Sequence, residues 1–141
     1  MSKNEKDLEK ERKNLEKKLS SILSSSTSAK AWSDLLPMTR EILQLLSKTN
    51  LEIDFSKLSN KLLLAKRLAQ CLNPECPSGV HEVVLDIYYI ILHNIVFFNE
   101  TCLSDNLGIY ACGLFPFYPN ASLNNKKKIY EKYNSWMFFI L

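Results

Sequence analysis

A chain of 141 residues, 46% of them hydrophobic, is long enough to bury one core without metal or disulfide staples. Its eighteen basic residues are opposed by fifteen acidic ones, and the two signs interleave over the first eighteen positions, which speaks against the one-sided basic face of a nucleic-acid-binding protein. Three glycines and five prolines supply too little turn chemistry for the many short strands of a sandwich or barrel. Helices joined by short loops are expected.

Residues 3 to 23 combine strong helix formers with apolar positions at Leu8, Leu15, Leu19 and Ile22, the narrow stripe of a solvated helix. This segment reads as a charged leader helix, and the polar run Ser20, Ser21, Ser24, Ser25, Ser26, Thr27 and Ser28 as the linker that closes it. The expected division is therefore 1–28 for leader and linker and 29–141 for the folded domain. From Ala29 to Lys48, Trp32, Leu35, Leu36, Ile42, Leu43, Leu45 and Leu46 recur at helical spacing, interrupted by Pro37, where the helix kinks or a second one begins. A third helix is expected from Ser56 to Leu72, capped by Asp54 or Ser56, with Leu58, Leu62, Ala65, Ala69 and Leu72 on its buried face.

Asn73-Pro74 stops that helix. The loop to Gly79 is bounded by Pro74 and Pro77, and Ser78 is placed to cap a fourth helix running from Val80 to about Phe98. That helix is apolar on more than one face, so it should lie between neighbours. At Val83 to Phe98 it falls short of the roughly 20 apolar residues of a membrane span. A fifth helix is expected over Ser104 to Leu114 and a sixth from Ser122, the latter directing Leu123, Ile129, Tyr130, Tyr133 and Met137 to a core. Successive helices with short connections suggest antiparallel pairs stacked as an α-solenoid of the HEAT or armadillo kind, with a compact bundle as the rival.

The N-terminal Met1-Ser2-Lys3-Asn4-Glu5 has no apolar segment behind its charges, so no secretory signal and a cytosolic protein are expected. Cys71, Cys76, Cys102 and Cys112 should then be thiols. Cys71, Cys76 and His81 follow a C-x4-C-x4-H spacing, looser than that of common zinc sites and lacking a fourth ligand, so neither metal nor cofactor is expected. No Gly-rich phosphate loop, G-x-S-x-G or H-E-x-x-H motif occurs, and no catalytic residue is assigned. Two sets of residues remain as binding candidates. The stiff loop Asn73, Pro74, Glu75, Pro77, Ser78, Gly79, with His81 just beyond it, is a candidate recognition surface, since a preorganised loop loses little entropy on binding. Lys57, Lys61, Lys66, Arg67, Lys126, Lys127 and Lys128 are candidate contacts for anionic lipid or an acidic partner.

Lys66-Arg67-Leu68-Ala69-Gln70-Cys71-Leu72-Asn73-Pro74, followed by Pro77-Ser78-Gly79-Val80-His81, resembles the K-R-L-A-Q-C-L-N-P-x-x-P-x-G-V-H segment of the Dopey family's N-terminal region. Tyr110-Ala111-Cys112-Gly113-Leu114-Phe115-Pro116 resembles the family's Y-x-x-G-L-F-P, Tyr130-Glu131-Lys132-Tyr133 its Y-E-K-Y, and Trp32-Ser33-Asp34-Leu35 its W-x-D-L. The matches stand in family order over about residues 29 to 133. Two departures are Lys126-Lys127-Lys128, where the family is more apolar, and Asn134 to Phe139, in place of an L-P-L continuation. The resemblance implies a non-enzymatic scaffold module of a very long protein, cytoplasmic and peripheral on Golgi and endosomal membranes, acting in Golgi-to-endosome vesicle transport and organelle organisation. It further implies a large Arf-exchange-factor-like partner, and for some members kinesin light chain and phosphoinositides. A phosphoinositide-binding adaptor is the alternative reading.

Overall fold

The computed structural model describes residues 3–25, 32–50, 52–98, 109–110, 114 and 116–140, and all regular structure among them is helical. Helix α1 (Lys3–Ser25) and helix α2 (Trp32–Lys48) are followed by a 3-10 turn at Phe55–Lys57 and helix α3 (Lys61–Cys71). Helix α4 (Ser78–Phe98) is the longest apolar element; a second 3-10 turn, Tyr118–Asn120, leads into helix α5 (Leu123–Ile140). No described helix is long and apolar enough to cross a membrane.

The core forms around α4, which touches α2, α3, the first 3-10 turn and α5. Val80, Val84, Ile87, Ile91 and Ile95 are buried as the spacing requires, and Leu85, Tyr88 and Leu92 are buried on other sides of the same helix. A central helix of this kind has to be apolar most of the way round. Helix α2 contributes Met38, Ile42 and Leu46. Pro37 lies inside α2, exposed, so one continuous helix runs through it.

Helix α1 is as charged as expected, yet its stripe belongs to the common core: Leu15, Leu19, Ile22 and Leu23 are buried together with residues of α2, α3 and α4. Polar bonds fasten it as well. Glu16 accepts from the Ser59 backbone at 3.0 Å, Asn60 Nδ2 donates to the Glu16 carbonyl at 3.0 Å, and Arg12 donates to the Lys57 carbonyl at 3.1 Å. The serine run does not begin as a linker. Ser20, Ser21, Ser24 and Ser25 are helical, and the Ser24 hydroxyl donates to the Ser20 carbonyl one turn back at 2.7 Å, satisfying itself within the helix. Ser26 to Ser28 lie outside the described residues.

Three further expectations are corrected. The third helix starts at Lys61, because Asp54 caps the 3-10 turn instead, its Oδ1 accepting from the Ser56 backbone at 3.0 Å. Leu58 is buried just past that turn and out of helical phase with α3, whose own buried face is Leu64, Ala65, Leu68 and Cys71, while Leu62 is 65% exposed. Helix α4 begins at Ser78 rather than Val80: the Pro77 carbonyl accepts from the Val80 and His81 amides, which places Pro77, not Ser78, at the cap. Among the described side chains of α5 the buried positions are Asn125 and Ile129, four apart; Leu123 and Tyr130 fall on the other side and are 84% and 62% exposed. Ser122 caps this helix, accepting from the Asn125 amide at 3.2 Å. Of the expected fifth helix, Ile109, Tyr110 and Leu114 are helical, and the rest of Ser104 to Leu114 lies outside the described residues, as do the side chains of Trp32, Tyr133 and Met137.

Candidate functional site at the loop between the third and fourth helices

Asn73 organises the loop. Its side-chain oxygen accepts from the Glu75 amide at 2.9 Å, an Asx turn, and its carbonyl accepts from the Cys76 amide at 2.9 Å. The same carbonyl receives a further bond, 2.8 Å from His81 Nε2. A carbonyl can only accept, so Nε2 carries the hydrogen. These bonds turn the chain back over the end of α3, burying Cys76 and His81 and leaving Asn73, Pro74, Glu75, Pro77, Ser78 and Gly79 exposed. The surface is thus built from a polar and proline-rich outer rim on an internally bonded frame.

The His81 ring also meets Phe117 edge-on, with centroids 4.6 Å apart. The fold thus carries Phe117 to the base of the Asn73–Gly79 loop. Pro116, Tyr118, Pro119 and Asn120 are exposed beside the buried Phe117. Gly79 has no positive φ, and a methyl group added there meets nothing within 4 Å. It is an ordinary residue in the first turn of α4.

The cysteines around the loop are not poised for chemistry. Burial pushes the Cys71 thiol up to about 12, with neighbouring Cys76 adding in the same direction and Arg67 opposing. Cys76 is raised by burial and by Glu75. Both therefore stay protonated near neutrality, where a thiol is a poor nucleophile and a poor metal ligand. Among the described residues no three histidine, cysteine or acidic side chains gather as a metal site.

The candidate cations are not equivalent. Lys57, Lys66 and Lys127 are exposed, the last 4.0 Å from Glu131. Lys61 donates to the Ser56 carbonyl at 2.9 Å, Arg67 to Gln70 Oε1 at 2.9 Å, and Lys126 lies 5.9 Å from the centre of the Tyr118 ring. Lys128 has a structural post: its ammonium sits 2.8 Å from Asp86 and 3.8 Å from Glu82, joining α5 to α4. Lys57, Lys61, Lys66 and Arg67 stand on or just before α3, and the three lysines 126–128 stand on α5.

Comparison with known proteins decides the family. The family model for the N-terminal region of Dopey matches residues 9–140. The chain belongs to the Dopey family. It is 37% identical over 122 residues to protein DOP1B of Mus musculus, an alignment covering 84% of the chain and 5% of the mouse protein. Against the DOP1 homologue of Plasmodium falciparum it is 34% identical over 121 residues, covering 86% of the chain and 3% of that protein. The DOP1 homologue of Drosophila melanogaster is 33% identical over 108 residues, covering 72% and 4%. The chain thus spans only a small fraction of the length of these relatives. No solved structure matches it.

Within this Dopey domain, the segment that carries the family resemblance divides cleanly by environment. Leu68, Cys71, Leu72, Val80 and His81 are buried, and Asn73 holds the frame through three bonds accepted by its side-chain and carbonyl oxygens. Pro74, Glu75, Pro77, Ser78 and Gly79 are exposed.

Proposed function

We propose that this Dopey domain is a non-enzymatic helical scaffold module that works by protein–protein contact in Golgi-to-endosome vesicle transport and organelle organisation, with the protein peripheral on those membranes. The observation that carries the reading is the family match over residues 9–140. Its contact surface is the Asn73–Gly79 loop together with the exposed Pro116, Tyr118 and Pro119 corner, joined through His81 and Phe117. The frame is fixed by its own hydrogen bonds, so little ordering entropy is lost on binding, and an exposed tyrosine flanked by prolines offers rigid amphipathic area. The partner is a large Arf-exchange-factor-like traffic protein, with kinesin light chain as a further one.

We infer that the module packs as one layer of a stacked helical solenoid. Leu123 and Tyr130 support this reading: they form an apolar stripe on the side of α5 away from Asn125 and Ile129, at a spacing of two helical turns. Capture experiments test the contact function. The chain immobilised as bait should retain the Arf-exchange-factor-like protein from cytosol, detected with a specific antibody, and Glu75→Arg should reduce retention while circular dichroism stays unchanged. A folded bait that retains none of it overturns the reading.

A further inference from the structure

Helix α3 keeps an apolar face outside the core. Leu64, Leu68 and Cys71 are buried, but Leu62 is 65% exposed and Leu63 38%. Along the outer side Leu62, Ala65, Lys66, Ala69 and Gln70 follow one another at the spacing of one helix face, and Ile109 supplies the opposite wall. Together they line an open hollow of about 520 Å³. The hollow is mainly apolar: Ala65 and Ala69, four apart, are too short to fill it, and Lys66 contributes its aliphatic stem. From Leu62 to Gln70 it runs about 12 Å at 1.5 Å per residue.

The charge around this hollow is of one sign. From Phe55 to Pro74 the chain carries Lys57, Lys61, Lys66 and Arg67 and no acidic residue. Among the described residues Glu16 reaches this stretch, and it is held by the Ser59 amide and Arg12 before α3 begins. Lys66 and Arg67 form no ion pair among the described residues. Arg67 is the more demanding of the two. It is half-buried, its guanidinium donates to the neutral Gln70 Oε1 at 2.9 Å, and its Nε is buried with no acceptor. A guanidinium in that state is short of the charged, planar acceptor that its geometry fits best, a carboxylate. Gln70 belongs to both features, lining the hollow and holding Arg67, so the cationic group stands at the edge of the apolar space.

We propose that this face of α3 binds a short acidic segment of a partner protein, with a large apolar side chain seated between Leu62, Ala69 and Ile109 and a neighbouring carboxylate at Lys66 and Arg67. The apolar side chain removes the exposed Leu62 from water, and the carboxylate offers Arg67 a charged acceptor beside Gln70. A membrane surface fits less well, because a partly buried guanidinium tied to a glutamine is set for a directed planar bond, whereas headgroup attraction draws on cations that project into solvent.

The groove shares no residue with the Asn73–Gly79 surface, so its occupant is a second contact and does not depend on the first. The test uses the full chain, immobilised, and a phage-displayed library of random peptides about twelve residues long, ample to span the groove. The library is first depleted on the Leu62→Glu variant, shown to be folded by circular dichroism, which removes binders of other surfaces. Peptides then retained by the parent chain should pair a large aliphatic or aromatic residue with aspartate or glutamate, and a fluorescent copy of the strongest should bind saturably in anisotropy. Lys66→Glu, at an exposed position, should weaken that binding at least about tenfold, since attraction becomes like-charge repulsion. Arg67→Lys keeps the charge, loses the planar fork and should weaken it too. Glu75→Arg should leave it unchanged, which separates this groove from the loop. No binder left after depletion, binders without acidic residues, equal binding by Lys66→Glu, or Lys66- and Leu62-dependent binding to phosphatidylserine vesicles in place of the peptides overturns the proposal.

Discussion

Asn94 lies in the most apolar stretch of α4, and it is the polar residue on which the α2–α3 connection hangs. Its side chain accepts from the Phe55 amide at 2.9 Å and donates to the Ile53 carbonyl at 2.7 Å, reproducing on one residue the pair of bonds that a neighbouring strand would make. Asn94, Ile53 and Phe55 are all buried. Asn94→Ala therefore removes two bonds and also leaves an amide and a carbonyl with no partner away from water. Each orphaned buried group costs about 1–3 kcal/mol, giving a loss of about 2–6 kcal/mol for the pair. Against the roughly 5–15 kcal/mol total stability of a domain, that is a large share. Urea unfolding followed by circular dichroism measures it, with the exposed Asn124→Ala as a control expected within about 0.5 kcal/mol of the parent. Asn94→Asp keeps the acceptor for Phe55 and sets a carboxylate against the Ile53 carbonyl, so it too should destabilise. If Asn94→Ala lost less than about 1 kcal/mol at an unchanged m-value, the double clasp would not be holding the segment.

Gly79→Ala should raise stability by about 0.5 kcal/mol in the same urea assay, because Gly79 is helical, has no positive φ and leaves room for a methyl group. The opposite sign would mean that the first turn of α4 is not formed as described. Lys128→Met should cost about 1 kcal/mol or less, shrinking further in high salt, since the variant keeps the packing position of Lys128 but leaves Asp86 without its cation at 2.8 Å. A salt-independent difference would refute the ionic reading. Cys71 titrates near 12 when folded because it is buried, and near its ordinary value when unfolded. The folded state then holds the proton longer, so this contribution to stability is complete below about 9 and is lost as pH rises toward about 12. Unfolding midpoints measured at rising pH should fall less steeply for Cys71→Ala than for the parent, and parallel curves would show that the thiol plays no part.

Periodicity made the long elements legible. Helix α4 shows why: its apolar residues satisfy the helical repeat on several faces at once, so its central position can be read from the sequence before any neighbour is known. The errors arise where phase depends on a start point. Leu58 continues the α3 stripe on paper, but a capped 3-10 turn intervenes; Ala65 and Leu72 are buried as expected, while Leu62 is exposed and Leu64 and Leu68 take inward places. The same holds for α5, where Leu123 and Tyr130 are spaced two turns apart and form a consistent stripe of their own; only the packing of Asn125 and Ile129 against α4 decides which stripe is inside. Helix α1 looked peripheral because charge dominates its composition, although four apolar residues in two turns suffice to dock a helix when polar bonds such as Glu16 to Ser59 fix its register.

At the loop, sequence reasoning looked to the prolines for stiffness and did not name the atoms that close the turn. Pro74 and Pro77 suggested a backbone held by restricted dihedrals. In the structure Gly79 is helical and Pro77 supplies the first carbonyl of α4, and neither closes the turn. Closure falls to Asn73, whose side-chain and carbonyl oxygens gather the amides of Glu75 and Cys76 and the His81 ring. The distinction matters for recognition. Restriction by proline acts mainly by narrowing the unfolded ensemble, whereas a hydrogen-bonded frame positions the exposed Pro74 and Glu75 directly. It also explains why His81 is buried although it lies one turn into a helix beside an exposed loop: one ring nitrogen closes the loop and the ring edge meets Phe117, so a single side chain sets the distance between the two exposed segments of the proposed contact surface.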